Sequence, residues 1–583
     1  MFGRVKPLDA ILATAEKKSL HRSLGPIQLT LLGVGGTIGT GIFVLTAEAA
    51  QKAGPGMMWS FLIAGLVCAV AALCYAELAA MVPVSGSAYT YTYAVMGELL
   101  AWMVGWALIL EYAVAASAVA VGWSGYFVGL MRDYAHINIP PALTAGPYAG
   151  GLVNLPAFFI ALLVTFLLMI GTKESARFNA ILVFVKTGAL ALFVIATIGI
   201  INAKNFTPMT PNGWGTIGVG GAAASIFFAY VGFDAVSTAA EETRNPQRNV
   251  PLGLLGSLVI CTVFYLLVAA GAIGAIGAQP VTGLHGEVLS PGSSDLAARC
   301  SAIVASGVTE PLACSKEALA HVLKTIGWNK LGAIIGLAAG LALPSVVLMM
   351  LFGQTRIFFV MARDGLLPEK LATVHPKWKT PYIVTGITGA VVAIGSAFFP
   401  VGKLADISNS GTLFAFMMVA VAVLGMRRSD PGRYRPFRTP LVWLFAPLAI
   451  VGTVALYFLL PLDASLSAPE DLSFEAINLN SVLDSVKGAK LRMIILDACR
   501  NNPFGADFRV DDKGLSLLDA PPGTLLAYAT APGNTAEDGE GSHGLYTDSL
   551  LHEMQVPGAA VEDVFKRVRL AVRRNSRGEQ IPW

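Results

Sequence analysis

Gly33-Val34-Gly35-Gly36-Thr37-Ile38-Gly39-Thr40-Gly41-Ile42-Phe43 decides how this chain folds. It lies inside an apolar segment near 27–48, yet five of nine consecutive residues are glycine. At about 1 kcal/mol each, those glycines cost a helix interior several kcal/mol. Close packing through small residues would be the plain reading. The glycines do not keep to one helix face, however; they crowd one stretch, as an interrupted helix would.

The surroundings show what solvent that interruption meets. Of the 583 residues 55% are hydrophobic and 13% charged, with a mean hydropathy of +0.64. Soluble domains carry about 25% charged residues, so most of the chain is no water-soluble protein, disordered segment or collagen-like fibre. The average conceals a break. Residues 1–462 hold 28 Lys+Arg and 19 Asp+Glu; residues 463–583 hold 12 and 18, an ordinary soluble composition. A membrane domain is joined to a soluble piece.

Crossing the hydrocarbon core takes about 20 apolar residues. Eleven segments qualify, near 27–48, 57–81, 98–130, 153–171, 178–201, 215–238, 250–277, 331–360, 381–399, 404–426 and 440–461. Residues 1–26 form an N-terminal segment without a secretory signal, since the first long apolar run starts late and continues into a span. With the N-terminus inside, the inner segments carry 19 Lys+Arg against 8 outside, and Lys186 sits within a span. That asymmetry predicts a multi-pass protein of the cell membrane with a cytoplasmic N-terminus. Eleven spans then place the tail outside. Cys68, Cys74 and Cys261 read as small apolar residues of the spans. Cys300 and Cys314 fall in the outer loop 278–330, where a disulfide is permitted; their spacing leaves that open.

Within a bilayer, unwound backbone must find a ligand, ion, water or protein partner. The sixth segment carries a similar interruption, Phe228-Ala229-Tyr230-Val231-Gly232-Phe233-Asp234, after Gly218, Gly220 and Gly221. Segments one and six are corresponding members of two five-helix halves, and paired interruptions mark a transporter's midplane site. Half-helix N-termini suit a carboxylate and freed carbonyls an ammonium, so a zwitterionic amino acid fits both. Glu111 and Lys186 are charges inside spans, which face a bundle interior or a cavity. Either could be a buried structural anchor; the functional reading is a proton or substrate site, since a buried amine can load and lose a proton. Glu77 and Asp234 lie nearer the inner ends and read as gate or helix-end contacts.

Longer stretches agree: Gly36 to Thr46, Ala76-Glu77-Leu78, Pro83 to Tyr89, Phe227 to Ser237, Glu241 to Gln247 and Arg363-Asp364-Gly365-Leu366-Leu367-Pro368. Over roughly residues 20–460 the sequence resembles the amino acid–polyamine–organocation superfamily, in its cationic amino acid transporter branch. The resemblance implies an all-α five-plus-five inverted-repeat fold working by alternating access. It places the substrate carboxylate on backbone N–H groups around Gly39, Thr40 and Gly41, with Thr37 and Ile38 beside them. It gives the α-amino group to carbonyls around Phe228, Ala229 and Tyr230, with the Phe228 ring as a gate. Lys186 falls where proton-coupled relatives hold a lysine in place of a sodium ion, and Glu111 where the branch has an acid near the pocket. Proton-coupled symport is the implied mechanism. Substrate choice would depend on spans six and eight, with Met349 and Met350 as candidate pocket residues. The family usually has twelve spans; here the chain leaves the membrane after the eleventh.

After a junction at 463–490, residues 491–583 read as α/β: strands at 491–496 and 524–530 and an amphipathic helix at 560–574. Asp497-Ala498-Cys499-Arg500-Asn501-Asn502-Pro503-Phe504, Ala529 to Ala536, Gly544 to Thr547 and Gln580 to Trp583 resemble bacterial caspase-like cysteine peptidases. The resemblance makes Cys499 the nucleophile and Asp497 a pocket acid. A thiol of pKa about 8.5 needs a nearby base. That histidine belongs roughly 50 residues upstream, where this chain has a membrane span and no histidine. His543 and His552 follow Cys499 and read as solvated side chains. The tail is therefore expected to be a truncated, inactive fragment, and the chain a fusion of two pieces by gene rearrangement, frame error or assembly joining. A tethered peptidase-like binding module is the alternative.

Three function classes stand: amino acid transporter first, cysteine peptidase second, and an amino acid sensor that binds without uptake third. The expected partners are an amino acid, a proton gradient and the lipid bilayer. No metal cluster, cofactor or nucleic-acid surface is expected; the basic residues follow topology, and Arg567 to Arg577 read as a solvated helix face.

Overall fold

The computed structural model describes residues 24–84, 87–170, 176–240, 243–283, 286, 288–377, 380–460, 492–496, 524–530, 544–556, 561–578 and 580–582. The chain divides into two compact units, residues 1–462 and 463–583.

Each of the eleven apolar segments becomes helical. Span 1 comprises Pro26–Thr37, the turn Thr40–Phe43 and Leu45–Ala53. Spans 2 to 5 are Met57–Met81, Glu98–Tyr134, Leu155–Ile170 and Ala176–Ile198. Span 6 comprises Val219–Ile226, the tighter turn Phe227–Tyr230 and Ala235–Thr238. Spans 7 to 11 are Pro246–Ile276, Asn329–Arg363, Tyr382–Phe398, Val401–Ser429 and Val442–Leu459. Among the described residues, seven helical runs are long and apolar enough to cross a membrane, with three shorter apolar helices beside them. The count falls below eleven because the two interrupted spans are divided and only 16 and 17 residues of spans 4 and 9 are described as helix.

The order of lengths repeats. An interrupted span, a long one, the longest, the shortest and a long one occur in spans 1–5 and again in 6–10. Packing repeats with it. Span 3 lies on span 10 as span 8 lies on span 5, span 1 on span 7 as span 6 on span 2, and span 3 on span 9 as span 8 on span 4. Spans 3 and 8, 2 and 7, and 4 and 9 meet as pairs. Exchanging helix i for i+5 thus preserves the neighbours. Five crossings per half put the second half into the membrane upside down, which makes the fold an inverted repeat. Span 11 packs on spans 2 and 10, outside the repeat.

The C-terminal end of span 2 is locked by charge. Glu77, 1% exposed, accepts both guanidinium N–H groups of Arg427 at 2.8 Å and the Thr439 N–H at 2.8 Å, with Arg435 Nε at 3.2 Å. It is therefore a helix-end contact, as its position near the end of the span suggested.

In the second unit, Arg492–Leu496 (β1) and Thr524–Tyr528 (β2) pair in parallel. Helices Leu545–Glu553 and Val561–Asn575 pack together; Tyr546, Leu550, Val564, Val568 and Val572 close a small core with Ala529. Both expected strands and the amphipathic helix are present. Cys499, Asp497 and His543 lie outside the described residues.

Removing the Glu77 carboxylate strands two arginines in a buried site, which costs about 3–5 kcal/mol. Glu77→Ala is expected to lower the thermal midpoint of the full chain in detergent clearly more than Glu77→Gln does; equal midpoints for wild type and Glu77→Ala would show the lock to be without weight.

Candidate functional site

The two interrupted helices meet at their breaks. Span 1 leaves helical geometry at Ile38 (ψ 102°) and Gly39, and re-enters at Thr40. Span 6 tightens over Phe227–Tyr230, becomes extended at Val231 and turns at Gly232 with φ +109°, a conformation that side chains rarely adopt. The backbones touch there. A Cβ on Gly41 would lie 2.3 Å from Ala229 Cα, and one on Gly232 would lie 2.7 Å from the Gly36 carbonyl oxygen. At Gly36, Gly41 and Gly232 glycine thus has a physical cause: two backbones in contact leave no room for side chains, while Gly33 makes room for Ser257 and Val236.

Breaking a helix frees N–H groups on one side and carbonyls on the other. Gly39, Thr40 and Gly41 enter a new turn with no preceding turn to accept their N–H groups. Several freed carbonyls are taken by long side chains from other spans. Tyr265 of span 7 places its hydroxyl 2.9 Å from the Thr37 oxygen and 2.7 Å from the Ala229 oxygen, between both breaks. Lys186 of span 5, 2% exposed, donates to the Gly35 carbonyl at 2.9 Å. Tyr126 of span 3 donates to Phe43 at 2.7 Å, and Asn409 of span 10 to Ala224 and Ser225 at 2.8 and 2.9 Å. The Phe228 carbonyl accepts the Val231 N–H at 3.1 Å. Two of the carbonyls expected to receive an ammonium group thus already have partners, each with a second lone pair left.

Other polar groups at the breaks lack partners. Thr40 Oγ1 and both Glu111 carboxyl oxygens are buried without a hydrogen-bond partner among the described residues. A Cβ on Gly122 would lie 2.9 Å from Thr40 Oγ1, so that hydroxyl sits over bare backbone of span 3. Glu111 has Asp234 within electrostatic reach and the Thr412 hydroxyl beside it. Asp234 accepts the Tyr112 hydroxyl at 3.1 Å and the Gly232 N–H at 3.2 Å, so it caps the break of span 6 and faces span 3. Apolar side chains from span 8 border the breaks: Val346 faces Gly39 and Met349 reaches Gly36, while Met350 is buried beside them in sequence.

Composition and spacing gave no sign of a polar cluster around the C-terminal half of span 1, Leu45–Ala53. Lys52 donates to Ser225, Ser225 to Asp406 at 2.5 Å, and Lys52 and Asp406 lie 3.7 Å apart, joining spans 1, 6 and 10. Tyr265 was equally hidden. Its one sequence signal is a tyrosine in mid-span, whose buried hydroxyl must find a partner. In the tail, His552 is 84% exposed beside Glu553.

Known proteins resemble this chain along most of its length. Residues 24–473 match the amino acid permease family, and residues 453–583 match the caspase domain, so 453–473 fit both. The branched-chain amino acid permease BcaP of Bacillus subtilis (strain 168) is 44% identical over 455 residues, 77% of this chain and 90% of that protein. The methylthioribose transporter of the same organism is 42% identical over 459 residues, 78% and 92% of the two chains. The vacuolar cationic amino acid transporter 4 of Arabidopsis thaliana is 36% identical over 418 residues, covering 71% and 64%.

Losing the Tyr265 hydroxyl leaves two carbonyls at the breaks short of a donor, a loss of about 1–3 kcal/mol. Tyr265→Phe is expected to lower thermal stability by that order in a detergent melt, whereas Tyr457→Phe, on a half-exposed site of span 11, is expected to change nothing.

Proposed function

The chain belongs to the amino acid permease family, and on that premise we propose that it carries a neutral aliphatic amino acid across the membrane together with a proton, by alternating access. The observation that carries this reading is the meeting of two interrupted helices around unpartnered polar groups. The N–H groups of Gly39, Thr40 and Gly41, with the Thr40 hydroxyl, would hold the carboxylate. Carbonyls of Phe228, Ala229 and Tyr230 would accept the α-amino group through their remaining lone pairs. Val346, Met349 and the Phe228 ring border the breaks with apolar surface, which supports an aliphatic side chain, as does the 44% identity to a branched-chain permease.

Lys186 would be the coupling group. Its ammonium holds Gly35, next to the break of span 1, so losing a proton there would remove the charge assistance and weaken the hold on that half-helix. Glu111 would complete the charge balance near the pocket. The distribution of Lys and Arg supports a cytoplasmic N-terminus. So does the Cys300–Cys314 bridge, which lies in a loop this orientation puts outside, where disulfides persist. The tail would then be outside too.

For the tail we infer a fragment without peptidase activity. The upstream position of the catalytic histidine falls in span 11, and His552 is solvated on a helix.

Proteoliposomes holding the full chain are expected to take up leucine, isoleucine or valine faster with an inward proton gradient. In Lys186→Ala that gradient dependence should vanish while exchange of internal for external substrate persists. Uptake of methylthioribose alone would overturn the substrate reading, and gradient-independent uptake by wild type would overturn the coupling. Hydrolysis of Arg or Lys peptides by the full chain, abolished in Cys499→Ala, would overturn the reading of the tail.

A further inference from the structure

The segment between spans 7 and 8 folds as a small body of its own. It contains helices Ser294–Ala305 and Ala318–Thr325, and a disulfide joins Cys300 to Cys314 with Cα atoms 5.7 Å apart. Val281, Leu289, Leu296 and Ala313 close an apolar core against the two cysteines.

This body is seated firmly on span 3. Gly125 and Gly129 lie one helical turn apart, and a Cβ on either would come within 2.7 Å of the Lys316 oxygen or 2.5 Å of Glu317 Oε2. Their bare backbone is the seat. Arg132 pairs with Glu317 at 2.8 Å, and Lys324 pairs with Asp133 at 2.6 Å and Glu317 at 2.9 Å. Burial works against the Lys324 charge, but its hydrogen bonds to Asp133 and Glu317 hold its pKa above the ordinary lysine value. Helix Ala318–Thr325 also packs on span 8, with Leu319, Val322 and Leu323 wholly buried. Spans 3 and 8 in turn pack on each other.

One side chain ties the outer half of span 1, Leu45–Ala53, to this body. Gln51, 1% exposed, donates from Nε2 to the carbonyls of Val281 at 2.8 Å and Leu289 at 2.9 Å, and its Oε1 accepts the Val281 N–H at 2.8 Å. Both amide donors are used, on two residues of the disulfide-stapled core. The three bonds satisfy the amide and at the same time hold two loop residues eight apart in sequence, so one side chain clamps the loop to the half-helix.

We propose that residues 278–328 act as a stator and that Gln51 is the positioning residue holding the outer half of span 1 to it. That half-helix, whose entry N–H groups form the carboxylate end of the site, stays fixed with spans 3 and 8 while access changes elsewhere. The link to substrate rests on the transport reading; the mechanical clamp does not.

Hydrogen exchange on the full chain in lipid nanodiscs separates the two. In Gln51→Leu, and independently in Cys300→Ser/Cys314→Ser, amides of residues 45–53 are expected to exchange at least tenfold faster, with span 3 unchanged. Gln51→Glu, which keeps the acceptor for Val281 N–H, should fall between. In uptake, Gln51→Leu should raise KM at least fivefold with Vmax within twofold, a split that loss of folded protein would not give. Faster exchange in 278–291 without any change in 45–53 would overturn the proposal, as would equal KM. If wild type carried no amino acid, the transport reading would fail while the exchange comparison still decided the clamp.

Discussion

No backbone polar group can be left without a partner in hydrocarbon, and this chain interrupts two helices there. Everything around the breaks answers to that constraint. Spans 3, 5, 7 and 10 each send a long polar side chain, Tyr126, Lys186, Tyr265 and Asn409, to a carbonyl of an interrupted helix. A side chain that must reach one particular carbonyl fixes the axial position of its whole helix. The unwound segments therefore set the register of the scaffold around them.

Some polar atoms on the spans around the breaks keep no such partner. Among the described residues, Thr40, Glu111, Gln354 and Asn409 of spans 1, 3, 8 and 10 each keep a buried polar atom without a hydrogen-bond partner. In a well-packed interior each such atom costs about 1–3 kcal/mol. A ligand with both acceptor and donor ends would recover part of that cost, and this is why a binding site in a membrane can be recognised by what it leaves unpaired.

Local chemistry was legible in the sequence. The segment bounds, both interruptions, the buried Lys186 and the helix-end place of Glu77 follow from composition, glycine clustering and charge, because the bilayer punishes any departure from an apolar helix. The strands and amphipathic helix of the tail were readable from periodicity. Partnerships across the fold were not. Tyr265 meets Thr37 at a separation of 228 residues and Glu77 meets Arg427 at 350, and neither end announces the other. Gln51 reads as an ordinary polar residue near a helix end until the loop 230 residues on is folded against it. The carbonyl of Ala229 looked open for the same reason: its partner comes from another span.

The shortness of span 9 has a consequence for the surrounding lipid. Tyr382–Phe398 packs on span 4 and shares a flank of the membrane unit with it. At 1.5 Å per residue span 9 is about 26 Å long, against a hydrocarbon core of about 30 Å. Phe159, Phe166, Ile387 and Val391 on that flank are exposed. The bilayer must pinch to meet them, while the 37-residue span 3 calls for full thickness. The protein therefore sits in a lopsided annulus, and that asymmetry biases it toward thinner membrane patches and toward neighbours with a matching short side.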